Sequence, residues 1–206
     1  MKNFLKVAEG CDIVPLRHAI QRQPELWGKY PVRTMHPKSA HYGGTDILLR
    51  YNDFIMTKDF DEKEFLEKVC SEIQCVNYPP FEMLPEARPL VFGLMARLEG
   101  EHLGRIFVSK VAAGGTAPVH DDIIPQATQA FPHKIKPWIY YERYHLILQS
   151  QPGVVFRTGD EQITPRPGEV WWNNKLEKHD VINNSVDDFM HVIIDIRSHR
   201  SDYIHR

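Results

Sequence analysis

The 206-residue chain has room for one domain with a sizeable core. A net charge of −2 and a pI near 6.6 give no basic excess that would suggest a nucleic-acid partner, and none is expected. No apolar run approaches the roughly 18 residues of a membrane span, and Met1–Lys6 does not open a signal-peptide core, so a cytoplasmic protein without membrane contact is expected.

Asp12–Leu26 reads as a helix with Pro15 in its first turn, where a missing N–H costs little. Tyr30–Ala40, rich in Pro, Lys and His, reads as loop, and Thr45–Tyr51 as a strand. Phe65, Leu66, Val69 and Ile73 recur at helical spacing within Asp59–Gln74, and Leu90, Val91, Leu94, Met95 and Leu98 do so within Glu86–Glu101. Both stripes suit packing against a sheet. The cysteines, Cys11, Cys70 and Cys75, form no disulfide framework and suit reduced thiols, with Cys70 and Cys75 in or beside a helix.

From Leu103 onward the apolar period changes to that of strands. Arg105–Ala112, Pro118–Ile123, Tyr140–Gln149, Val154–Arg157, Gln162–Thr164, Glu169–Asn173, Lys178–Asn183 and Phe189–Ile196 are strand candidates separated by turn residues. Short strands after a run of helices predict a mainly β protein with flanking helices. The expected architecture is a jelly-roll, cupin-like barrel with the N-terminal helices packed on one sheet. Residues 1–206 form a single domain in this reading, with 1–102 a mixed helical region and 103–198 the jelly-roll core. Such a barrel can hold a metal inside, with ligands on facing strands.

His120 and Asp122 stand two apart on a predicted strand, so both project to one face, with Asp121 on the other. With His179 on another strand they would make the two-histidine, one-carboxylate facial triad that binds Fe(II) and leaves positions open for oxygen chemistry. Arg143, His145 and Ile147 share a face by the same alternation, and a guanidinium there suits a carboxylate ligand. Phe189, His191 and Ile193 share another, and the two faces are expected to meet across the interior. Arg33, His41 and Arg50 lie in or near a loop that could bind a substrate carboxylate; an exposed polar loop is the plainer reading. Of Trp171 and Trp172 at most one can line a pocket, and Trp172 joins the substrate candidates.

Four blocks together carry a resemblance to a known family: Pro118–Asp122, Arg143–Leu148, Gly168–Trp172 through His179, and Met190–Ile196. The segment from about Arg105 to Arg197 resembles the aspartyl/asparaginyl β-hydroxylase branch of the Fe(II)/2-oxoglutarate-dependent oxygenases, which includes bacterial cis-proline hydroxylases. The resemblance implies a double-stranded β-helix, with His120, Asp122 and His179 on the metal-ligand and catalytic positions. It implies 2-oxoglutarate as co-substrate beside Arg143, His145 and His191, oxygen as oxidant, and hydroxylation of an amino acid, free or within a small molecule or peptide, with succinate and carbon dioxide as co-products. Phe189 stands where the family usually carries an arginine that grips the far carboxylate of 2-oxoglutarate. Phe cannot pair with a carboxylate, so either another group, such as His191 or Arg143, takes that load, or the co-substrate site is altered. A second reading keeps the barrel but not the catalysis: a metal- or small-acid-binding sensor or interaction module.

Overall fold

The computed structural model describes residues 2–34, 41, 44–52, 75–122 and 141–198. The predicted helix Asp59–Gln74, with Cys70, lies outside them.

The first helix, α1 (Val14–Gln21), buries Leu16, Ala19 and Ile20. It is shorter than predicted. Gln23 precedes Pro24, and that position is driven out of helical geometry, here to φ −131°, ψ 59°. Pro24–Leu26 continue as a single 3-10 turn. After α2 (Pro80–Met83), α3 spans Ala87–Arg97 and stops short of the predicted Glu101. Glu99 turns the chain with φ +53°, and a strand begins at once at Gly100. A Cβ on Gly100 would meet Ile196 Cγ2 at 2.7 Å, so the glycine lets the helix end fold directly onto the sheet.

The strands are β1 (Phe4–Ala8), β2 (Asp46–Asn52), β3 (Cys75–Asn77), β4 (Gly100–Val111), β5 (Thr116–His120), β6 (Tyr141–Gln149), β7 (Val154–Thr158), β8 (Glu161–Ile163), β9 (Val170–Asn173), β10 (His179–Asn183) and β11 (Phe189–Ser198). The strand candidates between Arg105 and Ile196 have counterparts, but the one predicted over Pro118–Ile123 is shifted, running Thr116–His120, with Ile123 outside the described residues. Strands β1 and β3 were not foreseen, and Cys75 belongs to β3 rather than to a helix.

The strands form a seven-stranded sheet in the order β1-β9-β6-β11-β4-β2-β3 and a four-stranded sheet in the order β5-β10-β7-β8. The outer face of the large sheet packs on the helices: Tyr144, Leu146 and Leu148 of β6 and Val192, Ile194 and Ile196 of β11 share a core with Leu16, Ile20, Leu84, Val91 and Leu94. The inner face meets the small sheet, where Phe4, Val111, Ile147 and Phe189 pack with Val154, Phe156 and Val181. This is the mainly β, cupin-like jelly roll with helices on one sheet. Two expectations about placement fail. Strands β6 and β11 are hydrogen-bonded neighbours, so their inward residues lie side by side rather than across the interior. Strands β5 and β10 are neighbours too, so the two histidines come from adjacent strands rather than facing ones.

Candidate metal centre

His120 and His179 are direct cross-strand partners on β5 and β10, which brings their ring centroids to 4.3 Å. Strand β5 ends at His120. Asp122 follows in a bend, its backbone N–H donating to Lys175 O at 3.1 Å. The carboxylate therefore joins the histidines through the bend and not through continued alternation. One ligand atom from each of His120, Asp122 and His179 lies within 4.8 Å of the others.

The tautomer of each histidine follows from its partner. His120 Nδ1 lies 2.7 Å from Pro118 O, and His179 Nδ1 lies 2.9 Å from Glu177 O. A carbonyl only accepts, so each Nδ1 carries a proton, which leaves Nε2 as the ring atom available to face a metal. In both cases the anchoring carbonyl is two residues upstream. Hydrogen bonds of this kind fix metal-ligating imidazoles in orientation. Burial pushes the His120 pKa down and the nearby His179 adds to this, so its ring is held neutral, as a ligand requires.

The carboxylate is tuned by an arginine. Arg143 Nη1 donates to Asp122 Oδ2 at 2.5 Å, while its Nε and Nη2 donate to Asp195 at 2.8 and 2.9 Å. Burial pushes the Asp122 carboxyl up, but Arg143, His179 and His120 together outweigh it and hold it well below the usual carboxylate range. Lys175, also buried, donates to Tyr141 O, and burial lowers its pKa to about 8. Asp195 and Lys175 had no role in the sequence reading. Alternation along β11 from Phe189 places Asp195 on the inward face, and that was the available signal.

The register arranges the inward residues of the large sheet in rows. One row runs Asn173, Arg143, Asp195. The next runs Trp171, His145, Ile193, Phe107, Leu48. A third runs Ile147, His191, Ser109, Asp46. The metal-ligand candidates sit at the first row, since Asp122 contacts Arg143 and Thr158, opposite His179, accepts from Asn173 Nδ2 at 3.2 Å.

His145 and His191 stand on neighbouring rows with their Nδ1 atoms 3.3 Å apart. Burial pushes both pKa values down, His191 to about 3 with Arg33 and Arg143 contributing, so both are neutral. His145 Nε2 and Asn173 Oδ1 are buried without a hydrogen-bond partner. Phe189 is fully buried, its ring 4.8 Å from that of His191.

The substrate candidates divide. His41 comes to the centre, its ring 4.4 Å from His120. Burial drives its pKa to about 2, with Arg33 and His120 adding to the shift. Arg33 reaches the interior, where it pairs with Asp46 at 2.7 Å and lies 4.5 Å over the Phe107 ring. Arg50 is not at the site. A register irregularity between Leu48 and Arg50 places it opposite Ile106, on the helix side, where it donates to Asn77 Oδ1 at 2.9 Å and lines an open cavity of about 620 Å³ with Phe81, Phe92 and Tyr141. Trp172 is not at the site either. It is buried in the core beneath the helices and donates to Glu142 Oε2 at 2.6 Å, while Trp171 takes the inward face.

The profile of the aspartyl/asparaginyl β-hydroxylase family matches residues 82–199, more than half of the chain. No curated protein sequence matches. Among solved structures, an oxidoreductase of the 2OG-Fe(II) oxygenase family from Burkholderia pseudomallei is similar at 12% identity and a TM-score of 0.49, over 88% of this chain and 80% of that one. AerE from Microcystis aeruginosa is similar at 16% identity and a TM-score of 0.33, over 45% of this chain and 35% of its own, so this chain spans about a third of that protein. A cupin domain from Bordetella pertussis is similar at 16% identity and a TM-score of 0.33, over 48% of this chain and 85% of that one.

Proposed function

Because this chain belongs to the aspartyl/asparaginyl β-hydroxylase family, we propose that it is an Fe(II)- and 2-oxoglutarate-dependent dioxygenase that hydroxylates an amino acid, free or within a small molecule or peptide. The observation that carries the reading is the clustering of one ligand atom from each of two imidazoles and one carboxylate within 4.8 Å of one another. That donor set fits Fe(II), with His120 Nε2, His179 Nε2 and the Asp122 carboxylate as ligands. Bound there, the iron would supply activation of molecular oxygen, with 2-oxoglutarate as the electron donor and succinate and carbon dioxide as co-products.

The chain's own residues do the rest. Arg143 keeps Asp122 ionised and, anchored on Asp195, keeps it aimed. Phe156, Phe189, Val111 and Ile147 form an apolar cluster between the sheets, which limits water in that part of the interior. The partnerless His145 Nε2 and Asn173 Oδ1 fit a polar ligand, since buried polar atoms are otherwise satisfied. The test is succinate formation by purified protein with Fe(II), ascorbate and 2-oxoglutarate, accelerated when a candidate amino acid is added. A second reading, a non-catalytic metal- or small-acid-binding module, draws on the fully buried Phe189. Tight metal and 2-oxo acid binding with no turnover across an amino-acid screen would decide for it. No helix among the described residues is long and apolar enough to cross a membrane. The thiols of Cys11 and Cys75 suit a reducing compartment, and on that ground we place the reaction in the cytoplasm.

A further inference from the structure

The interior of the jelly roll contains a cation that the last strand does not supply. Arg33 lies ahead of β2, and its guanidinium enters the third row of the large sheet: Nε and Nη2 donate to Asp46 at 2.7 and 3.2 Å, and Nη2 lies 3.5 Å from Ser109 Oγ. Its plane covers Phe107 in the second row, and its side chain is only 11% exposed. His191 shares the third row with Ser109 and Asp46. We propose that Arg33 is the carboxylate-binding cation of this pocket, holding the far carboxylate of a short dicarboxylic 2-oxo acid whose other end reaches the His120–Asp122–His179 centre. This rests on the oxygenase reading above and names the residue that selects its co-substrate.

Among the described residues, the other inward cations are committed elsewhere. Arg143 is held between Asp122 and Asp195, Lys175 donates to Tyr141 O, and Arg105 lies over the Tyr51 ring. Phe189 sits in an apolar cluster and offers no donor. Rows are about 7 Å apart along a strand, and Arg33 reaches back from the third row over Phe107 in the second, so its guanidinium stands between one and two row spacings from the first row. A short linear diacid held at the centre would extend along the strands toward it. Pairing with Asp46 does not bar a second carboxylate, because the five donors of a guanidinium can serve two. Arg143 serves two carboxylates in this same interior.

The test is calorimetry on the full chain loaded with redox-inert Zn(II), using 2-oxoglutarate and 2-oxobutyrate, which keeps the chelating head but lacks the far carboxylate. Removing Arg33 alone would leave Asp46 buried without its cation, so the variant is Arg33→Met/Asp46→Asn, in which both charges leave together. The native protein should bind 2-oxoglutarate about ten- to a hundredfold tighter than 2-oxobutyrate. The double variant should lose that preference, with 2-oxobutyrate and Zn(II) affinities unchanged, and Arg33→Lys should keep part of it. A double variant that still prefers 2-oxoglutarate, or a native protein with no preference, overturns the assignment of Arg33 while leaving the oxygenase reading standing. A native protein that binds Zn(II) but neither acid overturns both.

Discussion

Arg143 and Asp195 stand directly opposite each other on β6 and β11 and are joined by two parallel N–H···O bonds of 2.8 and 2.9 Å. The same guanidinium reaches the Asp122 carboxylate at 2.5 Å, so a buried cross-strand pair aims one of the three metal-ligand candidates. A Cβ on Gly104 would stand 3.0 Å from Asp195 Cβ and 2.9 Å from Tyr141, which leaves glycine as the neighbour that admits the pair.

Asp195→Asn should therefore act twice. Breaking a buried pair by removing one charge typically costs about 3–5 kcal/mol, read as a lower urea midpoint. Loosening the support of a ligand should weaken metal binding by roughly 10–100-fold. A Co(II) titration showing native affinity in the folded variant would contradict the aiming role.

Direct ligands should matter more than their supports. His120→Ala, Asp122→Ala and His179→Ala should each abolish measurable Fe(II) binding, while Asp121→Ala, outside the clustered ligand atoms, should bind as the native protein does. Equal losses at positions 121 and 122 would show that the bend after β5 does not present Asp122 alone.

Acid should destabilise the metal-free protein. Burial, with Arg33 and Arg143, lowers His191 to about 3, whereas in an unfolded chain it titrates near about 6.5. Between those values the unfolded state holds the extra proton. The stabilisation is thus complete above the unfolded pKa and is lost as pH falls, by up to about 1.4 kcal/mol per pH unit for each such histidine. His145, also lowered by burial, adds to the slope. Urea midpoints should fall steeply from pH 7 to pH 5, and His191→Gln should remove one proton from that slope. A pH-independent midpoint would rule this account out.

Trp172 should prove structural. Trp172→Phe leaves Glu142 Oε2 buried without the indole N–H, a loss of about 1–3 kcal/mol. Because Trp172 faces the helices, its replacement should leave Zn(II) affinity unchanged; a metal affinity that drops with it would place the ring at the site after all.

By itself the sequence marked out the strands between Arg105 and Ile196, the helices α1 and α3, and His120, Asp122 and His179 as the candidate trio. Alternation and apolar periodicity are local properties, and local sterics enforce them on any strand or helix. Tertiary structure decided which face is the interior and what each inward group meets. Trp171 and Trp172 differ by one residue, and only the pairing of β9 with β6 turns Trp172 outward beside Tyr144. Arg50 lost its place at the site to a one-residue irregularity in β2, which inverts every side chain beyond it. Asp195 is an ordinary inward carboxylate until β6 sets Arg143 opposite, and Arg33 is an ordinary loop arginine until Asp46 and Ser109 draw it under the barrel. Pairings between residues distant in sequence depend on sheet order and register, because an ion pair forms only where the backbone brings its two charges within a few ångströms.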